Sequence, residues 1–180
     1  MKNIVAAVLS GAAWVWTGGA AVAALPVGAT APEFATQASR AGKAFQFDLD
    51  AALAKGPVVL YFYPAAFTKG CTIEAHDFAE ATADFAALGA TVVGVSKDPI
   101  DTLNRFSVLE CRNKFAVASA DATVIAEYDV KLPVLERSNR TSFVIAPDHK
   151  IIAVYSAMDP SGHVGKSLAA VKAWRAGHGG

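Results

Sequence analysis

The segment Pro57-Val-Val-Leu-Tyr-Phe-Tyr-Pro64 places the tightest limit on how this chain can fold. A proline stands at each end and no charged or amide side chain marks a wet face. A strand so evenly apolar must be covered on both sides, which puts it inside a sheet with helices above and below. Ala90 to Ser96, Ala-Thr-Val-Val-Gly-Val-Ser, reads as a second buried strand. Between the two, Phe78, Ala81, Phe85 and Leu88 recur near a 3.6-residue period, so Thr72 to Leu88 is expected to be an amphipathic helix ended by Gly89.

The flanking segments extend the pattern. Phe34 to Leu49 reads as two short strands around the turn Arg40-Ala41-Gly42-Lys43, and Asp48 to Gly56 as a short helix closed by its glycine. Downstream, residues 98–113 are expected to form a helix, 115–119 a short strand and 122–130 another short helix. Thr141 to Ala146 and Ile151 to Ser156 flank Pro147-Asp148-His149-Lys150 as a hairpin, and 165–176 form a last helix. The fold class is therefore α/β: a central mixed sheet flanked by helices, with an N-terminal β-hairpin, compatible with a thioredoxin-like fold.

The first 23 residues stand apart. One basic residue, Lys2, precedes a long uncharged run that ends in Ala21-Val22-Ala23, which is how a secretory signal is built. We expect cleavage near Ala23 or Ala24, a single domain over residues 25–180, and export to the periplasm. The competing expectation is an uncleaved anchor holding the domain on the periplasmic side of a membrane. The 180-residue chain has zero formal net charge and no block of Lys and Arg, so it lacks the footprint of a nucleic-acid binder. Its partners are expected to be small molecules or other proteins.

Only two cysteines are present. Cys71 falls just after the first buried strand and at the mouth of the following helix, where free N–H groups and the helix dipole favour an anion. A thiolate is the nucleophilic form of cysteine. Stepping along the helix puts Cys71 and Glu74 on the same face as Phe78 and Phe85, so the sulfur should lie in a shallow pocket. A small buried hydrophobe is the plain alternative for such a residue.

Pro64, Thr68 and Cys71 form Pro-x-x-x-Thr-x-x-Cys directly after the apolar strand. Here the sequence resembles the peroxiredoxins of the AhpC/TSA superfamily, most closely the Q-type or bacterioferritin-comigratory-protein branch. The segments VGATAPEF, GPVVLYFYP, GCTIEAHDF, GVSKDP and RTSFVIAPDHKI match family segments in the same order, over essentially residues 25–176. The resemblance implies an enzyme, a hydroperoxide reductase of the thioredoxin-dependent type, using no cofactor and no metal. Its substrates would be hydrogen peroxide and organic hydroperoxides, its reductant a thioredoxin-like protein or a low-molecular-weight thiol, its state a monomer or weak homodimer. Cys71 would attack the peroxide and become a sulfenic acid. Arg140 would stabilise the charges, with Thr68, Pro64 and Glu74 completing the site. Arg137 is a rival cation, and the following Thr-Ser-Phe favours Arg140.

Many relatives carry a second cysteine at the place held here by His76. The other thiol of this chain is Cys111. On a wheel of residues 102–113 it shares a side with Asn104 and Ser107, away from Leu103 and Phe106. That predicts an accessible Cys111, able to resolve the sulfenic acid as a disulfide, with an external thiol or a static structural disulfide as alternatives. Two other classes share the fold. A thiol-disulfide oxidoreductase usually needs Cys-x-x-Cys, which is absent after Cys71; a non-enzymatic redox-sensing or binding domain would not need Cys71, Thr68 and Arg140 together. Gly165-Lys166-Ser167 lacks the first glycine and the buried strand of a phosphate loop.

Overall fold

A computed structural model describes residues 24–178, so the segment read as a signal lies outside the described residues. In chain order the elements are β1 (Ala35–Arg40), β2 (Lys43–Asp48), α1 (Leu49–Leu53), β3 (Val58–Phe62), α2 (Lys69–Ala87), β4 (Thr91–Ser96), α3 (Ile100–Leu109), β5 (Ala116–Ser119), α4 (Ala122–Glu127), β6 (Thr141–Ile145), β7 (Ile151–Ser156) and α5 (His163–His178). The seven strands form one mixed sheet in the order β2-β1-β5-β4-β3-β6-β7. β3 runs parallel to β4, with Leu60 opposite Val93, and antiparallel to β6, with Leu60 opposite Phe143.

All five β3 residues are buried, because the pleat sends alternate side chains into two separate cores. Val58, Leu60 and Phe62 pack with Leu49 and Leu53 of α1 and Ile125 of α4. Val59, Tyr61 and Tyr63 pack on the other face with Phe78 of α2, Phe106 of α3 and Val171 of α5. The continuous apolar run is thus explained by its place between two helical layers. At the N-terminal hairpin, Ala41 and Gly42 take φ of 52° and 76°, the left-handed pair that matches the twist of a two-residue turn.

Gly94 on β4 lets the second core close. A Cβ there would lie 2.8 Å from Cζ and Oη of Tyr61, whose ring is stacked on Phe78 at 4.3 Å. Both rings are buried in the second core. Gly94→Ala is expected to cost about 1 to 3 kcal/mol of overpacking, read as a lower urea midpoint with an unchanged slope.

Of the helix boundaries that differ from the sequence expectation, two bear on the cysteines. α2 begins at Lys69 instead of Thr72, because exposed Lys69 and half-buried Gly70 carry no apolar side chain for a periodicity to register. α3 ends at Leu109 instead of 113: Arg112 and Asn113 adopt φ of 51° and 64°, a left-handed pair that no α-helix continues through. Cys111 therefore sits in a turn, and the wheel drawn through it does not apply.

Candidate active site

The parallel β3–β4 pair ends where α2 begins, so the loop of residues 63–68 rises from the C-terminal edge of the sheet. Asp98, after β4, anchors it: Oδ2 accepts from the Ala66 amide at 2.7 Å and from Ser96 Oγ at 2.8 Å. Phe67 is held at φ 63°, an unusual conformation for a bulky side chain, with its ring against Phe106 at 5.2 Å and Arg105 over its face at 5.3 Å. The loop then delivers Cys71 in the first turn of α2. The first helical bond of that turn runs from the Thr72 amide to the Thr68 carbonyl, which leaves the amides of Lys69, Gly70 and Cys71 ahead of it.

Arg140 arrives from the opposite direction. β6 is antiparallel to β3, and Phe62 pairs with Thr141, so the residue that precedes β6 lies at the same sheet edge as Cys71. Its guanidinium makes three contacts. Nη2 donates to Cys71 Sγ at 3.4 Å, Nη1 donates to Glu74 Oε2, and Nε donates to the Met158 carbonyl at 3.0 Å. Cys71, Glu74 and Arg140 are 1%, 0% and 4% exposed. Burial acts against the Arg140 cation, but Glu74 and then Cys71 outweigh it, and its pKa is raised. Gly70 permits the approach, since a Cβ there would meet Nη2 at 3.0 Å.

The structure thus brings together three of the five residues named from the sequence, Cys71, Glu74 and Arg140, while the rival Arg137 is exposed. Pro64 is half-buried just past β3. Thr68 occupies the N-cap position of α2 without capping it, and its hydroxyl donates to the Ala65 carbonyl at 3.0 Å. Its oxygen lone pairs stay free of that bond. Sequence reasoning missed His163, whose Nδ1 lies 3.5 Å from Glu74 Oε1 and 2.8 Å from Ser142 Oγ. No motif or period surrounds that histidine, so the sequence carried no signal for it.

Cys111 departs most from expectation. It is 0% exposed and packs in the same core as Cys71, Tyr63 and Phe106. Both cysteines are free thiols. Burial, and secondarily Glu110, pushes the Cys111 pKa far above the ordinary thiol value. The surrounding turn is tied to α2 by His76 Nε2, 2.8 Å from Glu110 Oε2, and by an Arg112–Glu80 ion pair. In the reduced native protein we expect alkylating reagent to modify Cys111 only through local opening, at a rate that rises with sub-denaturing urea. His76→Ala should speed that labelling roughly two- to fivefold, the range of a half-exposed ion pair.

Among the described residues, one grouping has metal-ligand spacing: Glu33, Asp50 and His149, at the opposite end of the sheet from Cys71. It is surface pairing, with His149 Nε2 3.1 Å from Asp50 Oδ1.

Residues 27–154 match the AhpC/TSA family. A Mycobacterium tuberculosis (strain H37Rv) protein provisionally named a peroxiredoxin is 38% identical over 133 residues, 72% of this chain and 86% of that one. The crystal structure of peroxidoxin BcpB from Mycobacterium tuberculosis superposes with a TM-score of 0.75 at 36% identity, covering 82% of this chain and 96% of the other. Peroxiredoxin Bcp of Escherichia coli (strain K12) is 30% identical over 112 residues, 59% of this chain and 72% of that protein. The mixed sheet is accordingly the thioredoxin-like sheet of these structures. On the family match and on these relatives, the chain belongs to the AhpC/TSA family and is a peroxiredoxin, an enzyme of the thiol peroxidase class.

Proposed function

We propose that the protein reduces hydrogen peroxide and organic hydroperoxides through a sulfenic acid on Cys71. The observation that carries this reading is the buried Arg140 guanidinium, which bridges the Cys71 sulfur and the Glu74 carboxylate. The Cys71 thiolate attacks one peroxide oxygen, an S–O bond forms and the O–O bond breaks. The second oxygen leaves as hydroxide or alkoxide and takes a proton from solvent. Cys71 is oxidised to the sulfenic acid as the peroxide is reduced. Negative charge moves from sulfur to the leaving oxygen, so Arg140 and the free amides of the first α2 turn act where charge develops. The free lone pairs of Thr68 accept the hydrogen of the incoming hydroperoxide. Pro64 shields the sulfur side from water.

For the return to thiol, Cys111 attacks the sulfenic sulfur, water leaves and an intramolecular disulfide forms. A thioredoxin-like protein or a low-molecular-weight thiol then reduces it. Burial of Cys111 means that the 110–114 turn must open first, and its two left-handed residues make it the place to open. The same burial supports a second reading, in which an external thiol reduces Cys71 directly. Mass spectrometry after one equivalent of peroxide separates them: loss of two hydrogens in wild type, with a dimedone-trapped sulfenic acid in Cys111→Ser, is the expected result. A dimedone adduct in wild type with no disulfide would support the external route.

We further propose export, with residues 1–23 removed as a signal and the domain acting as a monomer or weak homodimer in the periplasm. Among the described residues no helix is long and apolar enough to cross a membrane. Amino-terminal sequencing of protein from a periplasmic extract tests the cleavage near Ala23 or Ala24. An amino terminus at Met1 in the membrane fraction would support the anchor instead.

A further inference from the structure

Beneath the Cys71–Arg140 contact lies a second buried layer. Glu74 has two carboxylate oxygens: Oε2 accepts from Arg140, while Oε1 is fully buried and, among the described residues, without a hydrogen-bond partner. An unsatisfied buried carboxylate oxygen is costly and asks for an explanation. Nδ1 of His163 lies 3.5 Å from it. His163 is itself 0% exposed, at the first turn of α5. Its Nε2 lies 3.0 Å from the Ala157 carbonyl, and a carbonyl only accepts, so Nε2 carries a hydrogen.

That assignment fixes the remaining proton chemistry. In the neutral ring Nδ1 is an acceptor, served by the Ser142 hydroxyl at 2.8 Å. If ionised, Glu74 Oε1 then faces, across 3.5 Å, an electron-rich nitrogen with no hydrogen to offer it, which repels. One proton, on Oε1 or on Nδ1, removes the repulsion and satisfies the orphaned oxygen. We propose that His163 is a positioning residue of this centre: it shares one proton with Glu74 and so sets the charge on the carboxylate that holds Arg140 against Cys71. The proposal rests on Cys71 as the attacking sulfur.

The surroundings agree. Burial holds Glu74 above the ordinary carboxylate range, against the pull of Arg140, and Asp77 on the same helix adds to the rise. Burial also holds His163 below the ordinary imidazole value; Arg140 works the same way, while the Ala157 carbonyl and Asp159 oppose it. The titratable and charged groups facing the ring are Glu74 from α2, Arg140 from the head of β6, Asp159 from the loop before α5, and Tyr155 of β7, whose ring lies edge-on at 4.8 Å. One proton shared between Oε1 and Nδ1 keeps the pair neutral overall while leaving part of the carboxylate charge facing Arg140. As pH falls and a second proton binds the pair, the carboxylate charge is lost and Arg140 loses its ionic hold.

The test pairs kinetics with direct observation of the ring. His163→Gln keeps an acceptor for Ser142 and a donor for Ala157 but cannot titrate. Its kcat/KM for hydrogen peroxide should fall about tenfold, the lower end of what outer-shell orienting groups contribute, and the acid limb of its pH profile should lose one ionisation. A slower enzyme whose acid limb matches wild type overturns the proposal, because a merely structural role lowers rate or stability without moving that limb. Nitrogen NMR of the ring, following the four histidines of the unsubstituted chain, needs no active variant. The His163 midpoint should move in Glu74→Gln while His76, His149 and His178 stay put. An unmoved His163 midpoint overturns the proposal even if His163→Gln fails to fold. Persistent activity in Cys71→Ser would instead remove the underlying reading and leave the ring titration standing.

Discussion

Cys71→Ser is expected to stop peroxide consumption, with the second-order rate constant down by at least about 10⁴, the scale on which removal of a nucleophile acts in comparable enzymes. Serine keeps the shape and places a hydroxyl within reach of Arg140, so the buried triad with Glu74 should persist. The fold should therefore melt close to wild type while the chemistry disappears. That separation is the point of the substitution: a variant that is inactive because it is unfolded says nothing about the sulfur. Stopped-flow mixing of reduced protein with stoichiometric peroxide, beside a urea melt, reads both quantities. Undiminished consumption in a folded Cys71→Ser would falsify the assignment and shift attention to Cys111.

Much of this architecture was legible in the sequence, for reasons that can be traced to single residues. The 57–64 run announces burial on both faces because neither register of the pleat exposes a polar side chain, and β3 lies between two cores as a result. Cys71, Glu74, Phe78 and Phe85 share a helix face because the 3.6 period requires it, and all four are buried. Arg140 was separable from Arg137 only through the Thr-Ser-Phe that follows, a strand pattern that places one arginine at the sheet edge and leaves the other in a loop. What stayed hidden depends on backbone conformation or on long-range proximity. The end of α3 is set by left-handed Arg112 and Asn113, and no helix propensity flags an arginine there. Consequently Cys111, expected on a polar helix face, is packed in the core. His163 meets Glu74 only because α5 returns to the sheet edge that α2 leaves, a meeting that neither segment records by itself.

Arg140 is where activity and stability should come apart most clearly. Arg140→Met removes the donor aimed at Cys71 Sγ, and kcat/KM should fall about 10²- to 10³-fold, the loss measured when one preorganised donor is taken from a developing charge. Arg140→Lys keeps a charge but cannot hold Sγ, Glu74 and the Met158 carbonyl at once, so it should recover only part of that loss. The stability effect comes from the partner left behind. Glu74 is 0% exposed, and an uncompensated buried carboxylate costs about 3 to 5 kcal/mol unless it binds a proton. Burial already pushes its pKa up to about 8 from 4.5, with Arg140 as the opposing influence. A carboxyl raised in the folded state contributes stability that is complete below its unfolded pKa and is lost as pH rises toward the folded one. Without Arg140 the folded value climbs further. Urea melts of Arg140→Met should therefore show a deficit against wild type that is small near pH 4.5 and grows steadily toward pH 8. The double variant Arg140→Met with Glu74→Gln abolishes the buried charge, so it should regain most of the stability at pH 8 and none of the peroxidase rate. A deficit that is the same at both pH values would show that Arg140 holds the fold by packing and not by answering Glu74.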